Sequence, residues 1–429
     1  MNMQSTIPAI PLVVDLDHGR MVVGGADQGK AHILHCNYYN TYLQRTLWKD
    51  ASSFIDAPPI IIGAAAEQSR TQLRALFGQL GLDSIDKRLR FAEQFYAWQG
   101  FGHIDLSGLT AQGGTVDSRV QHYAEGWVAQ FGKADAPVGL MTQGWLAGLA
   151  DAVFDLADGS LKPSQPLCSA VAGGKANIFK LHPSEGATYP IFNAKGIGSI
   201  LPTRAIPSVA NNVDADGVAR AVLTLPLFGN PDVNDGLVNT FDVLISWHPH
   251  SYYDRISNEC LNQAIDQYGE EGRNVMGPLL EEAGHRCAFR TFGGIFRSAE
   301  WAAVVEPMCK TREDWVHGML AIINCAGWGK ASCTSLTSDE ATFVVQNDYE
   351  SVGYMHLYGH AKAPPNYLLR GGFRGLINLV YNGDIASKPS LTEALYEKLH
   401  RRSDAFDVEV LTCLGTGDGL TTFRVFRKG

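Results

Sequence analysis

Two glycine-centred motifs occur twice in this chain at one fixed spacing, and that regularity limits the fold more than any total does. Gly100-Phe101-Gly102 returns as Gly327-Trp328-Gly329. Gly144-Trp145-Leu146-Ala147-Gly148 returns as Gly371-Gly372-Phe373-Arg374-Gly375, displaced by the same interval. A single shared motif would mean little among 45 glycines. Two motifs in step, each in a matching apolar setting, predict an internal duplication. A duplicated fold places two similar pockets, or one shared pocket, about a pseudo-two-fold axis, which favours a small-molecule site over a long binding surface.

The totals agree with a globular protein of two or three domains. The chain has 429 residues, of which 45% are hydrophobic and 18% charged. A formal charge of -9 and the lack of any Lys/Arg block argue against nucleic-acid binding. No apolar run approaches the roughly 20 residues of a membrane helix, and the segment Met1–Arg20 lacks the basic start of a signal peptide. The eight cysteines are scattered without a CxxC pair. They read as reduced thiols of a cytoplasmic protein.

Periodicity and turn residues place the elements. In the first copy, about Pro11 to His182, short strands at Pro11–Val14 and Met21–Gly24 precede Ala31–Leu47, which turns helical near Tyr39. Helices are predicted over Ala64–Gly81 and Ile85–Gln99, the latter closed by Gly100. Strands follow around His103–Leu109 and Thr115–Val120, then an apolar helix over Val138–Phe154 and a hairpin from Leu167–Ala172 and Asn177–Leu181. The second copy repeats the order: a long helix over Arg255–Gly284, a helix over Arg312–Ala326, a strand at Ala341–Gln346, a helix over Tyr367–Tyr381 and a hairpin from Val408–Thr412 and Thr421–Phe426. Asp384–Arg402 is an added segment with a helix from Leu391. Pro183–Phe241, rich in Gly, Pro and Asn, connects the copies and supplies the opening strands of the second.

This order of helices, GFG or GWG turn, strands, GxxxG helix and Cys-bearing hairpin resembles the 4-vinyl reductase domain family, a small-ligand domain whose fold is shared with haem nitric-oxide sensors and TRAPP subunits. The second copy carries the resemblance in Ala326–Gly329, Phe343–Asn347, Leu369–Gly375 and Leu411–Gly415; the first carries it in Gly100–Asp105, Pro137–Gly148 and Cys168–Ala170. It implies an α+β fold of two tandem domains, residues 1–182 and 183–429, each an antiparallel sheet packed with helices and related by a pseudo-two-fold. The partner it implies is a small organic ligand, in a monomer with an internal pseudo-dimer or in a homodimer. Many family members hold a structural zinc. Here the four ligand positions carry Gly139 or Asn366, Gln165 or Val410, Cys168 or Cys413, and a residue near Ala176 or Thr421. One thiolate cannot close a tetrahedral zinc site, so a family-type zinc is predicted absent. No GxxxxGK[ST] and no basic recognition helix accompany the domains.

The candidate chemistry lies in His35-Cys36-Asn37-Tyr38-Tyr39-Asn40 and in His248-Pro249-His250-Ser251-Tyr252-Tyr253-Asp254. Each puts a His and a Tyr pair at a strand-to-helix entrance. Registering the Tyr pairs aligns Cys36 with His250; a one-residue gap aligns His35 with His248 or His250. Imidazole suits proton transfer or metal ligation near pH 7, and phenols donate hydrogen bonds to developing oxyanions. His35, Tyr38, Glu67, His250 and Tyr252 are therefore candidate catalytic residues. His35, His250 and Glu67 are candidate ligands of a non-haem iron, which His and carboxylate donors suit. Cys36, Tyr39, Trp98, His103, Trp145 and Tyr253 are candidate ligand-binding residues. The plainer alternatives are a Tyr pair packed in the core, Asn40 or Asp254 capping a helix, Glu67 paired with Arg70 one turn on, and GxxxG glycines serving helix-on-sheet packing rather than leaving room for a ligand. His285 near Cys287, and His356 with His360, are further candidates; the last two fall in a strand-to-loop stretch. The functional expectation is an enzyme that transforms a small apolar or aromatic molecule, the alternative being a non-catalytic sensor, carrier or accessory subunit.

Overall fold

The structure, a computed structural model, describes residues 9–25, 29–192 and 200–428. Its strands are β1 (Leu12–Asp15), β2 (Arg20–Val23), β3 (Lys30–Cys36), β4 (Gly102–Asp105), β5 (Leu109–Thr110), β6 (Gly113–Gln121), β7 (Leu161–Leu167), β8 (Asn177–Pro183), β9 (Val238–Thr240), β10 (Val243–Pro249), β11 (Lys330–Leu336), β12 (Glu340–Gln346), β13 (Phe406–Thr412) and β14 (Thr421–Arg427). They form three antiparallel sheets in an α+β fold. Two sheets share one order: β4-β6-β8-β7 and β11-β12-β14-β13.

The third sheet, β1-β2-β3-β10-β9, positions the site. Its centre is the pairing of β3 with β10, which sets Ser246 opposite His35 and His248 opposite Ile33. Each of these strands runs directly into a helix, Asn37–Arg45 after β3 and His250–Tyr268 after β10. The repeated turns dock on this sheet in the same way. Leu34 N–H donates to Ala326 O and Trp247 N–H to Gln99 O, both at 2.8 Å. Gly100 (φ +80°) and Gly327 (φ +84°) adopt left-handed backbone, and a Cβ on either would strike the carbonyl of Ile245 or of His32. Glycine is needed at both places because the chain must turn there and also lie against a strand. One apolar core extends from Met21 through Phe95, Trp247 and Phe343 to Val425.

Several elements depart from the sequence expectation. The predicted Ala64–Gly81 helix starts at Ala57, with proline tolerated in its first turn. The long helix expected over Arg255–Gly284 is two, His250–Tyr268 and Glu270–Cys287, parted by Gly269 at φ +62°. The first hairpin is β7 with β8, and Ser169–Ala172 is a helical turn between them. Within Pro183–Phe241, expected to supply strands, Ala215–Val222 is a helix and the strand β9 begins only at Val238. His356 lies on the Tyr349–Tyr358 helix, and His360 lies just past its end. Among the described residues no helix is long and apolar enough to cross a membrane.

The GxxxG glycines pack helix on helix, not helix on sheet as expected. A Cβ on Gly144 or Gly148 would collide with the carbonyls of Ile62 and Ala66 on the Ala57–Gln79 helix. Gly371 meets Glu281 O and His285 N of the Glu270–Cys287 helix in the same manner. The glycines thus create close backbone approach, and the space they leave is filled by the neighbouring helix.

Candidate functional site

The β3–β10 pairing buries two histidines in matching aromatic surroundings. His35 lies 4.3 Å (ring centroids) from Tyr39, 4.7 Å from Tyr253, 5.1 Å from Trp328 and 6.2 Å from Tyr349. His248 lies 4.9 Å from Tyr252, 5.1 Å from Tyr253, 4.5 Å from Phe101 and 6.2 Å from Tyr123. Each imidazole contacts the tyrosine four residues on in its own helix and the aromatic of the opposite Gly-X-Gly turn. His248, rather than His250, therefore occupies the environment that resembles that of His35. Tyr253 touches both rings.

Burial holds both imidazoles well below their usual pKa, so both are neutral. Neither nitrogen of His35 has a hydrogen-bond partner, nor does Nε2 of His248. Two small cavities adjoin them. The cavity beside His248, about 10 Å³, is bounded by Gln68, Ser69, Gln99, Phe101, Met141, Trp145 and Tyr252 among others, and holds about one water. Gln68 Oε1 and Gln99 Oε1 are also buried without partners. The cavity beside His35, about 30 Å³, is walled by apolar groups such as Phe292, Ile323 and Trp328, with Cys36 and Thr291 as its polar members.

Cys36 is the N-cap of the Asn37–Arg45 helix. Burial pushes its thiol up, but hydrogen bonds from Cys287, Thr291 and the backbone N–H groups of Tyr39 and Tyr38 outweigh that and leave it below the usual value. Cys287 is pushed well up by burial and by Cys36.

The other predicted residues are dispersed. His250 Nδ1 sits 2.9 Å from Asp254 Oδ2, an imidazole–carboxylate pair one turn into its helix. Burial drives His250 down to about 3 and raises Asp254, whose neighbours Glu350 and Asp348 push it further. Glu67 is bound to Arg255, not to Arg70. Asn40 and Asp254 do not cap helices: Asn40 bridges Ser246, His122 and Tyr253, and Asp254 holds His250. Tyr38 lies under the Arg290 guanidinium, 5.8 Å away. Trp98, stacked on Phe228 at 4.5 Å, and His103 border a surface cleft of about 570 Å³ with Glu93, Gln94, Asp105 and Asp232. Trp145 is in the cavity beside His248. His35, His250 and Glu67 do not meet as a ligand set: among the described residues one such trio converges, and it lies elsewhere.

The positions that hold zinc in the resembling family carry hydrogen-bonded networks. Asn366 donates to Asp348 at 2.6 Å, Cys413 donates to Asn366 at 3.1 Å, and Thr421 donates to Asp348 at 2.5 Å. In the first half Gly139 N–H donates to Gln165 and Ser169 N–H to Asn177, each at 2.9 Å.

Sequence reasoning gave no role to Gln68, Gln99, Met141 or Thr291. Gln99 could have been found, since it directly precedes the first Gly-X-Gly turn. The others had no signal, because only packing brings them to the cavities.

No family model matches the chain, and no curated protein matches it significantly. Among solved structures, a partial likeness is to the "crystal structure of the phenol-responsive sensory domain of the transcription activator PoxR with Phenol". The identity is 11% over 42% of this chain and 74% of that one, with a TM-score of 0.30. At that score the likeness carries no weight for fold or function.

Proposed function

We propose that this protein binds a compact organic molecule bearing a hydroxyl or amino group in the cavity beside His248. One observation carries the reading: Gln68 Oε1, Gln99 Oε1 and His248 Nε2 are buried, lack partners and border the same cavity. Each such group costs about 1–3 kcal/mol while unsatisfied, and a guest that donates hydrogen bonds recovers that cost. Phe101, Trp145 and Tyr252 supply aromatic walls. The cavity has about 10 Å³ of free space, so a compact organic guest requires wall movement, for which the flexible thioether chain of Met141 is suited. The matched contacts of the two Gly-X-Gly turns support reading residues 1–182 and 183–429 as halves of common origin.

A second reading, chemical transformation of the guest, is favoured by Cys36, whose thiol is activated at a helix N-terminus beside the sister cavity. It requires a reducing, cytoplasmic setting in which Cys36 stays a thiol.

Isothermal titration with phenol and with toluene tests the proposal. Phenol should bind saturably and about tenfold or more tighter than toluene, the difference a satisfied hydrogen bond makes, and Gln99→Leu should erase the preference. No saturable binding of phenol, or equal binding of toluene, would overturn the reading. Mass spectrometry of the same samples separates the two readings: an altered guest or an adduct on Cys36 supports transformation, and an unchanged guest supports binding alone.

A further inference from the structure

Away from both cavities, three ligand-type side chains meet at the end of the Glu393–His400 helix. Glu282 and His285 are one turn apart near the end of the Glu270–Cys287 helix, and His400 is the last residue of the Glu393–His400 helix. One donor atom from each lies within 4.8 Å of the other two. Glu282 Oε2 is 3.9 Å from His285 Nδ1 and 4.0 Å from His400 Nε2. We propose that Glu282, His285 and His400 bind a divalent first-row transition-metal cation.

The spacing suits one. Bonds of about 2.0–2.1 Å in tetrahedral array put donors about 3.4 Å apart, so the two separations to Glu282 must close by about half an ångström and the imidazole pair, within 4.8 Å, by at most about 1.4 Å. The carboxylate is already aimed. Tyr396 O–H donates to Glu282 Oε1 at 2.5 Å and Arg286 Nε–H donates to the same oxygen at 3.1 Å, which leaves Oε2 facing the imidazoles. Nδ1 of His400 has no partner that would fix its tautomer.

The nearby cations are themselves held, Arg286 by Glu393 at 2.7 Å and Arg374 by Glu281 at 3.3 Å. The Glu393–His400 helix points its negative end here. His285 is only 2% exposed and forms the floor, whereas Glu282 (24%) and His400 (33%) leave the outer side to water. Two imidazoles, one carboxylate and an open position form a donor set used with Zn²⁺, Fe²⁺ and Co²⁺.

Asn378 sets the cost. Its Nδ2 donates to His285 Nε2 at 3.3 Å, which places the imidazole hydrogen on Nδ1, 2.8 Å from Tyr396 Oη. A metal on Nδ1 moves that hydrogen to Nε2, where an acceptor is then needed. Asn378→Asp provides one and creates the carboxylate–histidine–metal arrangement that strengthens such sites.

Titration of the chelator-stripped full chain with Co²⁺, followed by visible absorption, tests the proposal. The wild type should take up one Co²⁺ with the intense bands of low coordination, and Zn²⁺ should displace it. Glu282→Gln and His400→Ala should each weaken uptake at least tenfold with unchanged far-UV circular dichroism, and Asn378→Asp should strengthen it. Absorption no different from the aquo ion in the wild type would overturn the assignment. So would undiminished uptake by folded Glu282→Gln and His400→Ala, or weaker uptake by folded Asn378→Asp.

Discussion

Replacing Arg255 by Met tests the strongest polar tie between the two parts of the chain. The guanidinium is fully buried and is bound by Glu67 from the Ala57–Gln79 helix and by Glu259 one turn along its own helix. It also donates to Gly63 O at 3.3 Å and lies 4.8 Å from the Phe192 ring. Breaking a buried pair from one side costs about 3–5 kcal/mol, because the remaining charge is left uncompensated. Here the remaining carboxylates are 16% exposed and reach water in part, so the lower end, about 3 kcal/mol, is expected. Glu67→Gln keeps Arg255 paired with Glu259 and should cost about 1–2 kcal/mol, near the value of a charged hydrogen bond.

The decisive variant is the double one. Arg255→Met with Glu67→Gln removes one of the two stranded charges, Glu259 keeping the other, so it should be more stable than Arg255→Met alone, a favourable coupling of at least about 1 kcal/mol. Urea unfolding of the four proteins gives the cycle. A loss under about 0.5 kcal/mol for Arg255→Met, or a double variant as unstable as the sum of the singles, would refute the reasoning. The cycle also separates this role of Glu67 from catalysis, since stability is read without any substrate.

Two further outcomes concern pH and packing. Glu350 is raised from 4.5 to about 8, chiefly by burial. Unfolded, it loses its proton near 4.5; folded, it keeps it until about 8, so the folded state holds the extra proton between those values and stability falls as pH rises through that window. Glu350→Gln should flatten that fall by up to ~1.4 kcal/mol per pH unit; superimposable urea profiles of wild type and variant from pH 5 to 8 would contradict it. Gly148→Ala drives a methyl into Ala66 O and Ser69 Oγ and should lower stability by about 1–3 kcal/mol. Gly78→Ala on the partner helix meets nothing within 4 Å and should raise it by about 0.5–1 kcal/mol. Melting temperatures shifted in the same direction by both would count against the close-packing account.

Much of the local structure was legible. The Ser84-capped helix Ile85–Trp98, the Gly100 turn and the β13–β14 hairpin lie close to where periodicity and turn residues put them. These depend on backbone preferences within a few residues. The helix break at Gly269 (φ +62°) falls where Gly269–Asn274 carries two glycines and no apolar side chain, a local signal that the periodicity of the flanking segments masks. In the site, the gap between the His35 and His248 segments could be suspected from the Tyr pairs but not resolved, since a one-residue shift leaves composition unchanged.

By itself the sequence determined that two Gly-X-Gly turns and two GxxxG helices would form, because left-handed backbone and close approach both demand glycine. It also placed a histidine and tyrosines at each strand-to-helix entrance. Only the tertiary structure decided that β3 and β10 pair, that His248 rather than His250 matches His35, that Glu67 binds Arg255, and that Glu282 and His285 meet His400. Those outcomes join residues far apart in the chain, and they follow from burying apolar faces together, a global requirement that no local pattern encodes.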